Sequence, residues 1–524
     1  MSAVSSISKL TAVNACIAVV GLATSVAMAW MFGISSEIQI FFAGSSMMTI
    51  LLKFFQVGQI SELFVPEYVR RQELDGDAAA NRFISVLLNH IMAGLAVIGA
   101  ILFLLAPVFG RWIAPGFAGA QQQQVGMVFQ ALLPVLGLVV VSSFLQAVAN
   151  ARGWYGRFES FTLVGAVLGL LCLMVTARWL GLWALVLSQV VTQGLSFLQG
   201  WAFLRDKGYR HAWIWQEKGF NPRRFAGQLK ATTIYVFATQ WYTFAFTAAL
   251  TLLPGGALAV YKYAENLYTR TSSLFLRPVS VVFFTDASVL THRQPTKLRE
   301  RLHAALYQYA MIYAVLIAGL FPAMPNLLGA LWGGARYTPA EIAQTVLFAW
   351  CLFGLLLVDG TALVYRKLNI VCDGIMVQYF AMTLVQVGSA LVALPLIRSF
   401  GVWGAAGMVA LNMLGFWVSS AGVLWWRRKE LWAFFPARTW KLVPAVVGSL
   451  AVTVLVAKWL PVLAYAGSVS LPGKIVEFGK ASFLGLVGLL VAVGLAGLLG
   501  VPGLGRAEIY QRWHRLRNRV FKPS

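Results

Sequence analysis

Acidic residues are scarce in this chain: 18 Asp and Glu stand against 41 Lys and Arg, and all charged types together make up only 11% of 524 residues. A soluble domain carries about a quarter charged residues. With 59% of its residues hydrophobic, the chain is too apolar for an ordinary soluble protein. Cysteine is equally sparse. Cys16, Cys172, Cys351 and Cys372 lie singly in or beside apolar runs with no CxxC pair, so neither a disulfide framework nor a thiolate metal site is expected. His90, His211, His292, His303 and His514 are scattered too, which removes zinc-type spacing. No metal and no cofactor is expected.

What the chain has in abundance is apolar runs of about 20 residues, enough helix to cross roughly 30 Å of hydrocarbon. They fall at 8–33, 38–64, 82–109, 125–149, 159–177, 181–203, 226–252, 256–285, 303–331, 341–365, 375–397, 401–426, 440–460 and 475–500. The pattern predicts an all-α polytopic membrane protein of about fourteen spans. The first run carries Asn14 and leads directly into the second, as a membrane helix does and a cleaved signal peptide does not.

A formal charge of +23 suits nucleic acid, but the basic residues form small clusters between spans rather than one soluble face. No nucleic-acid partner is expected; membrane lipids are. One set of loops holds Arg70, Arg71 and Arg82; Arg152 and Arg157; Arg205, Lys207, Arg210, Lys218, Arg223 and Arg224; Arg293, Lys297, Arg299 and Arg301; Arg366 and Lys367; and Arg427, Arg428, Lys429, Arg438 and Lys441. The alternate set holds little beyond Arg111, Arg178, Arg336, Arg398, Lys458, Lys474 and Lys480. Because Lys and Arg concentrate in cytoplasmic loops, both termini are expected in the cytoplasm. In the tail, Ile509, Trp513, Leu516 and Val520 recur at helical spacing among Arg512, Arg515, Arg517 and Arg519. That pattern fits an amphipathic helix on the anionic inner leaflet, and equally a solvated basic tail that fixes orientation.

An internal repeat recurs at an offset of roughly 220 residues, a common plan in secondary transporters. Phe64-Val65-Pro66 through Arg82 to Leu87 matches Phe284-Thr285-Asp286 through Arg301 to Leu306, and Gly181-Leu182-Trp183 echoes Gly401-Val402-Trp403. Two six-helix lobes, 1–204 and 226–430, are therefore expected, related by a pseudo-twofold axis along the membrane normal. A cytoplasmic linker at 205–225 joins them; two extra spans at 431–505 and the basic tail at 506–524 follow.

A charge inside a bilayer is costly and normally faces a bundle interior or a water-filled cavity. In the eighth span Lys262, Glu265, Asn266, Thr269, Arg270, Ser273, Arg277 and Ser280 fall within a sector of roughly 140°. Leu267, Leu274, Val281 and Val282 lie largely elsewhere on the helix. The second span carries Ser46, Thr49, Lys53 and Gln56, with Lys53 near its middle, and the seventh an uncharged set of Thr233, Gln240, Thr243 and Thr247. Spans 2 and 8 are equivalent under the repeat, so their polar faces are expected to meet across a central cleft and make it cationic. Lys and Arg in a low-dielectric cleft suit an anionic ligand such as a diphosphate, which Arg grips with two parallel hydrogen bonds. The substrate-binding candidates are thus Thr49, Lys53, Gln240, Lys262, Glu265, Asn266, Arg270 and Arg277. The competing reading has Arg277 and Lys262 reach towards the interfaces or pair with Glu265 and Glu62. Asp359 in the tenth span and Asp286 at the end of the eighth are candidates for ion coupling, although Asp286 also suits the cytoplasmic boundary.

Several separated pieces of the sequence resemble the MurJ (MviN) family of lipid II flippases, within the multidrug/oligosaccharidyl-lipid/polysaccharide (MOP) exporter superfamily. Between Gly21 and Phe64 these are Phe32-Gly33, Phe41-Phe42, Gly58 and Leu63-Phe64-Val65-Pro66, the last near the family's AFVP. Ala114-Pro115-Gly116-Phe117 matches its APGF, and Tyr263-Ala264-Glu265-Asn266-Leu267 stands where the family has YADRL. The resemblance covers residues 8 to 430 and implies an alternating-access carrier of a lipid-linked saccharide. The departures bear on cargo. The family's first-span arginines are replaced by Ala18 and Thr24, with Ser25 for the adjoining acid. Its PNLLR is Met48-Thr49-Ile50-Leu51-Leu52, with Lys53 one position later; its EGA glutamate is Val57, and its eighth-span arginine is Asn266. Because differential contacts set specificity, a different cargo is expected. The superfamily resemblance implies an undecaprenyl-diphosphate-linked oligosaccharide for exopolysaccharide or surface glycan assembly, with a glycan polymerase or synthase as possible partner.

An enzyme is opposed by outer loops short and poor in acid, with no nucleophile, base and orienting group together. A cation-coupled multidrug antiporter of the same superfamily calls for a carboxylate-rich cavity, the opposite sign. A scaffold that binds the lipid carrier without moving it accommodates the lost arginines.

Overall fold

The structure is a computed structural model. It describes the backbone from residue 3 to 501, apart from 55–56, 153, 155, 217–221, 294, 373–374, 432–434 and 468–469; side chains of 3–11, 57–67, 222–233 and a few further positions, Arg277 among them, lie outside the description. The basic tail at 506–524 lies outside it as well. The described residues are helical almost throughout and contain no strand, only an isolated bridge between Gly334 and Tyr337.

The helices are α1 (Ala3–Phe32), α2 (Ser36–Phe54), α3 (Val57–Ile113), α4 (Gly119–Ala151), α5 (Arg157–Leu180), α6 (Leu182–Asp206), α7 (Pro222–Thr251) and α8 (Ala257–Arg293). There follow α9 (Pro295–Leu320), α10 (Met324–Trp332), α11 (Pro339–Gly354), α12 (Leu356–Val371), α13 (Ile375–Arg427), α14 (Leu442–Trp459) and α15 (Leu471–Leu498). Each expected span coincides with a helix, so the all-α polytopic architecture is the one observed. Among the described residues ten helical stretches are long and apolar enough to cross a membrane, and one of them, Met376–Arg427, holds two expected spans joined through Gly401. α2, α7 and α8 are not among the ten. They are the three helices on which the sequence places polar stripes.

Helix ends differ from the hydropathy boundaries in three places. The second span was expected to run to residue 64 and a loop to 81, yet α2 stops at Phe54 and α3 runs unbroken from Val57 to Ile113 except for Gly76, at φ 81°. Hydropathy marks where the bilayer ends, whereas residues such as Gln72, Glu73 and Leu74 favour helix in water as well. Lys53 consequently stands in the last turn of α2 rather than mid-helix. The ninth span divides into α9 and α10 around Pro322 and Pro325, since proline removes a helical donor and disfavours helix in the residue before it. The tenth is broken at Leu355 into α11 and α12.

The chain forms two compact units, Met1–Lys262 with Gln386–Met408, and Tyr263–Val385 with Val409–Ser524. In the first, α5 packs on α6, α3 on α4, and α2 on both α4 and α7. The α5–α6 contact needs small residues: a methyl added at Gly169 would lie 1.9 Å from Thr192 Oγ1, and Ser188 Oγ donates to the Gly169 carbonyl at 2.9 Å. Such approach is how helices associate where water supplies no driving force. At the basic end, Arg152 donates to Tyr68 Oη at 2.5 Å and to Asn81 Oδ1 at 3.0 Å and pairs with Asp77 at 3.5 Å. It thereby ties α4 to both sides of the α3 bend.

The repeat is visible in one backbone detail. Gly181 and Gly401, each between two helices, adopt nearly the same conformation, φ 51°, ψ −126° and φ 58°, ψ −133°. A side chain is strained there. Gly401→Ala is expected to cost about 1–3 kcal/mol through the backbone alone, because an added methyl meets nothing within 4 Å. Gly181→Ala should cost about the same, since the atom nearest its methyl, Glu37 Oε1 at 2.9 Å, ends a flexible side chain that can move aside. Thermal unfolding of the two variants in detergent checks the match.

The segment after α6 folds back on α3. Asn89, buried, donates to the carbonyls of Ala212 at 3.1 Å and Ile214 at 2.8 Å, and the Ala212 amide donates to Ser85 Oγ at 3.2 Å. Burial pushes the Tyr209 phenol up to about 12 and pulls the His211 imidazole below its ordinary value. With His211 depressed in the folded state, the unfolded chain binds more protons once the pH drops below about 6.5, so stability is lost as the pH falls through that range and is level above it. His211→Gln should flatten the melting temperature between pH 7.5 and 5.

In the second unit α15 packs on α9, α10 and α14. The turn between α14 and α15 is clamped by Glu477, whose Oε1 accepts from Lys480 Nζ at 3.0 Å and from the Ala466 amide at 3.2 Å. Lys480 also donates to the Ala464 carbonyl at 3.1 Å. Glu477 is buried, at 1% exposure, and Lys480 is largely covered, at 12%.

Candidate transport site

The polar stripe of α8 starts from the spacing of its residues, and burial follows it closely. Tyr263, Ala264, Leu267, Tyr268, Leu276 and Phe283 are buried. Thr269, Arg270 and Ser273 are exposed, and Lys262, Glu265 and Asn266 are half-buried. Phe275 and Val282 are exposed on the same helix as well, so α8 leaves free this polar set and also an apolar one. Ser280, assigned to the same stripe, is buried at 3%. The exposed part of the stripe therefore ends before Ser280. Arg277 lies among the side chains outside the description. Lys262 Nζ lies 5.7 Å from the Tyr261 ring centroid.

On α2, Thr49 and Lys53 are exposed while Ser46 is buried at 4%. Thr49 Oγ1 donates to the Ser45 carbonyl at 3.0 Å, within its own helix. On α7 the uncharged stripe turns inward: Gln240 and Thr247 are each 2% exposed. Gln240 lines an apolar cavity of about 760 Å³ in the first unit, together with Met47, Ile50, Leu51 and Phe54 of α2 and with Arg111 and Trp112 of α3. Thr49 and Lys53 do not line it. Arg111, counted in the sequence only as a charge in a sparse loop, stands at the same cavity.

The two acids considered for ion coupling differ in their partners. Asp286 pairs with Arg301 of α9, as a boundary residue would. Asp359 of α12 accepts a hydrogen bond from Tyr268 Oη of α8 at 2.7 Å, and Tyr309 Oη donates to the Leu276 carbonyl at 2.9 Å. The sequence reading missed Tyr268: an aromatic one position off the polar stripe reads as core, and only the fold supplies its acid. Among the described residues no group of three or more His, Cys, Asp or Glu is placed to hold a metal ion.

The motif pieces have packing roles. Gly116 of Ala114-Pro115-Gly116-Phe117 donates its amide to Thr251 Oγ1 at 3.3 Å, and a methyl there would stand 2.0 Å from the Thr251 carbonyl oxygen. Tyr263 of Tyr263-Ala264-Glu265-Asn266-Leu267 is fully buried, its ring 5.5 Å from that of Trp332 and 5.6 Å from that of Tyr337. In the first span Ala18 is 6% exposed and Ser25 2%; these positions are filled by packing.

The chain is similar in fold to a solved lipid II flippase MurJ in an inward closed conformation, at TM-score 0.73 and 14% identity over 93% of this chain and 98% of that one. It is also similar to a multidrug resistance MATE family transporter of the MOP superfamily in an inward-facing conformation, at TM-score 0.56 and 13% identity, covering 80% and 94%. A MOP superfamily transporter from Pyrococcus furiosus, described as having a binding pocket of reverse polarity, matches at TM-score 0.56 and 15% identity, covering 81% and 95%. No curated protein matches the sequence. The family model of the lipid II flippase MurJ matches residues 28–472, so this multi-pass membrane protein belongs to the MurJ flippase family, with the MOP superfamily fold.

Proposed function

We propose that the protein flips a polyprenyl-diphosphate-linked oligosaccharide, or a related lipid-linked glycan precursor, across the bacterial inner membrane by alternating access, for exopolysaccharide or cell-envelope glycan assembly. The observation that carries this is the exposed Arg270 with Thr269 and Ser273 on α8, a membrane helix of a flippase-family chain. A guanidinium left exposed at that depth is stable facing water or an anion, and a diphosphate is the anionic part of such lipids. Lys53 and Lys262 add charge of the same sign. A multidrug-type antiporter needs carboxylates instead, and both termini lie in the cytoplasm if the basic loops are read as inner ones.

Family positions that hold arginine elsewhere are here Ala18, Thr24 and Asn266, so the cargo is a lipid-linked glycan other than lipid II. In proteoliposomes a fluorescent polyprenyl-diphosphate oligosaccharide should become accessible on the far leaflet within the assay, and lipid II should not. Equal or faster flipping of lipid II, or rescue of a strain depleted of its lipid II flippase, would overturn the cargo. Saturable binding without movement of either lipid would make the protein a scaffold.

A further inference from the structure

The cavity of about 760 Å³ in the first unit is not explained by a cationic stripe. Its walls are hydrocarbon and aromatic, with Phe109, Phe129, Phe237, Trp241 and Phe244 among them, and only two lining side chains carry strong polar groups, Arg111 and Gln240. Arg111 and its neighbour Trp112 are exposed, at the end of α3. Gln240 is 2% exposed, and its buried Oε1 has no hydrogen-bond partner. An amide buried without a partner costs about 1–3 kcal/mol. A site built only to pack would carry leucine there.

At about 760 Å³ the cavity is within the range of ligand sites, which are mostly apolar with a few placed polar groups. Its polarity is that of an amphiphile: one exposed cation, hydrocarbon and aromatic walls, and one buried amide. We infer that this cavity holds one polyprenyl chain of a phosphate-bearing lipid, with the phosphate on Arg111 and the chain running between α2, α3 and α7 past Gln240. The inference rests on the flippase reading for the lipid's identity, but the site belongs to the first unit alone and contains neither Lys53 nor the stripe of α8. The guanidinium fork matches phosphate geometry. Methyl branches fill an aromatic-walled groove more fully than a linear chain does.

The test uses the full chain in nanodiscs and a polyprenyl phosphate with a diazirine on an early isoprene unit. Labelling should saturate and map to peptides of α2, α3 and α7. Excess unlabelled polyprenyl phosphate should abolish it and equal phosphatidylglycerol should not. Arg111→Gln, at an exposed position, should raise the half-saturating concentration at least fivefold, and Leu51→Trp, which fills the cavity, should cut maximal labelling at least fivefold. Non-saturable labelling, equal competition by phosphatidylglycerol, or indifference to both variants would overturn the site. Binding is read without transport. A chain that labels as expected but flips nothing overturns the functional reading and keeps the site; one that flips without labelling overturns the site alone.

Discussion

Arg270→Ala is expected to slow flipping of a lipid-diphosphate oligosaccharide by one to two orders of magnitude, with little change in melting temperature. The residue is exposed, so the loss is expected to fall on the cargo. A charge-assisted hydrogen bond contributes about 1.5–3 kcal/mol, and each 1.4 kcal/mol is tenfold. Arg270→Lys should recover only part of the rate, because an ammonium keeps the charge but not the planar fork. The measurement is initial rate in proteoliposomes at two salt concentrations. Unchanged rates for Arg270→Ala and Lys53→Ala together would remove the stripe from the transport path.

The largest loss of stability is expected from Glu477→Ala. It leaves Lys480, largely covered at 12% exposure, with the Ala464 carbonyl as partner, and releases the Ala466 amide. Removing one member of a buried pair costs about 3–5 kcal/mol, whereas replacing both by apolar groups of similar size is often neutral. Glu477→Leu with Lys480→Met should therefore melt close to the parent, and the single variant well below it. Differential scanning fluorimetry in detergent, with proteolysis of the 464–470 turn, reads both.

How far the sequence carries the fold depends on which signal each element uses. Helix number follows from apolar length, and for that reason all fourteen expected spans coincide with helices, α13 holding two of them. Helix ends do not follow, because the charged stretch around Gln72 and Glu73 is too polar for hydrocarbon yet helical. The repeat is legible at Gly181 and Gly401, where a local string demands a local conformation. For the site, periodicity sorts α8 well from Thr269 to Ser273 and fails at Ser280, which is buried. It fails for Gln240 in another way: a polar residue at regular spacing marks a face but not what that face meets. Arg111 and Tyr268 escape altogether, because their significance comes from groups distant in the chain.

The Tyr268–Asp359 hydrogen bond couples two helices that the chain separates by 91 residues. α8 cannot rotate about its axis without breaking that bond or carrying α12 with it. Turning α8 against α12 therefore carries a penalty of about 1.5–3 kcal/mol for a hydrogen bond to a charged group, which Tyr268→Phe removes.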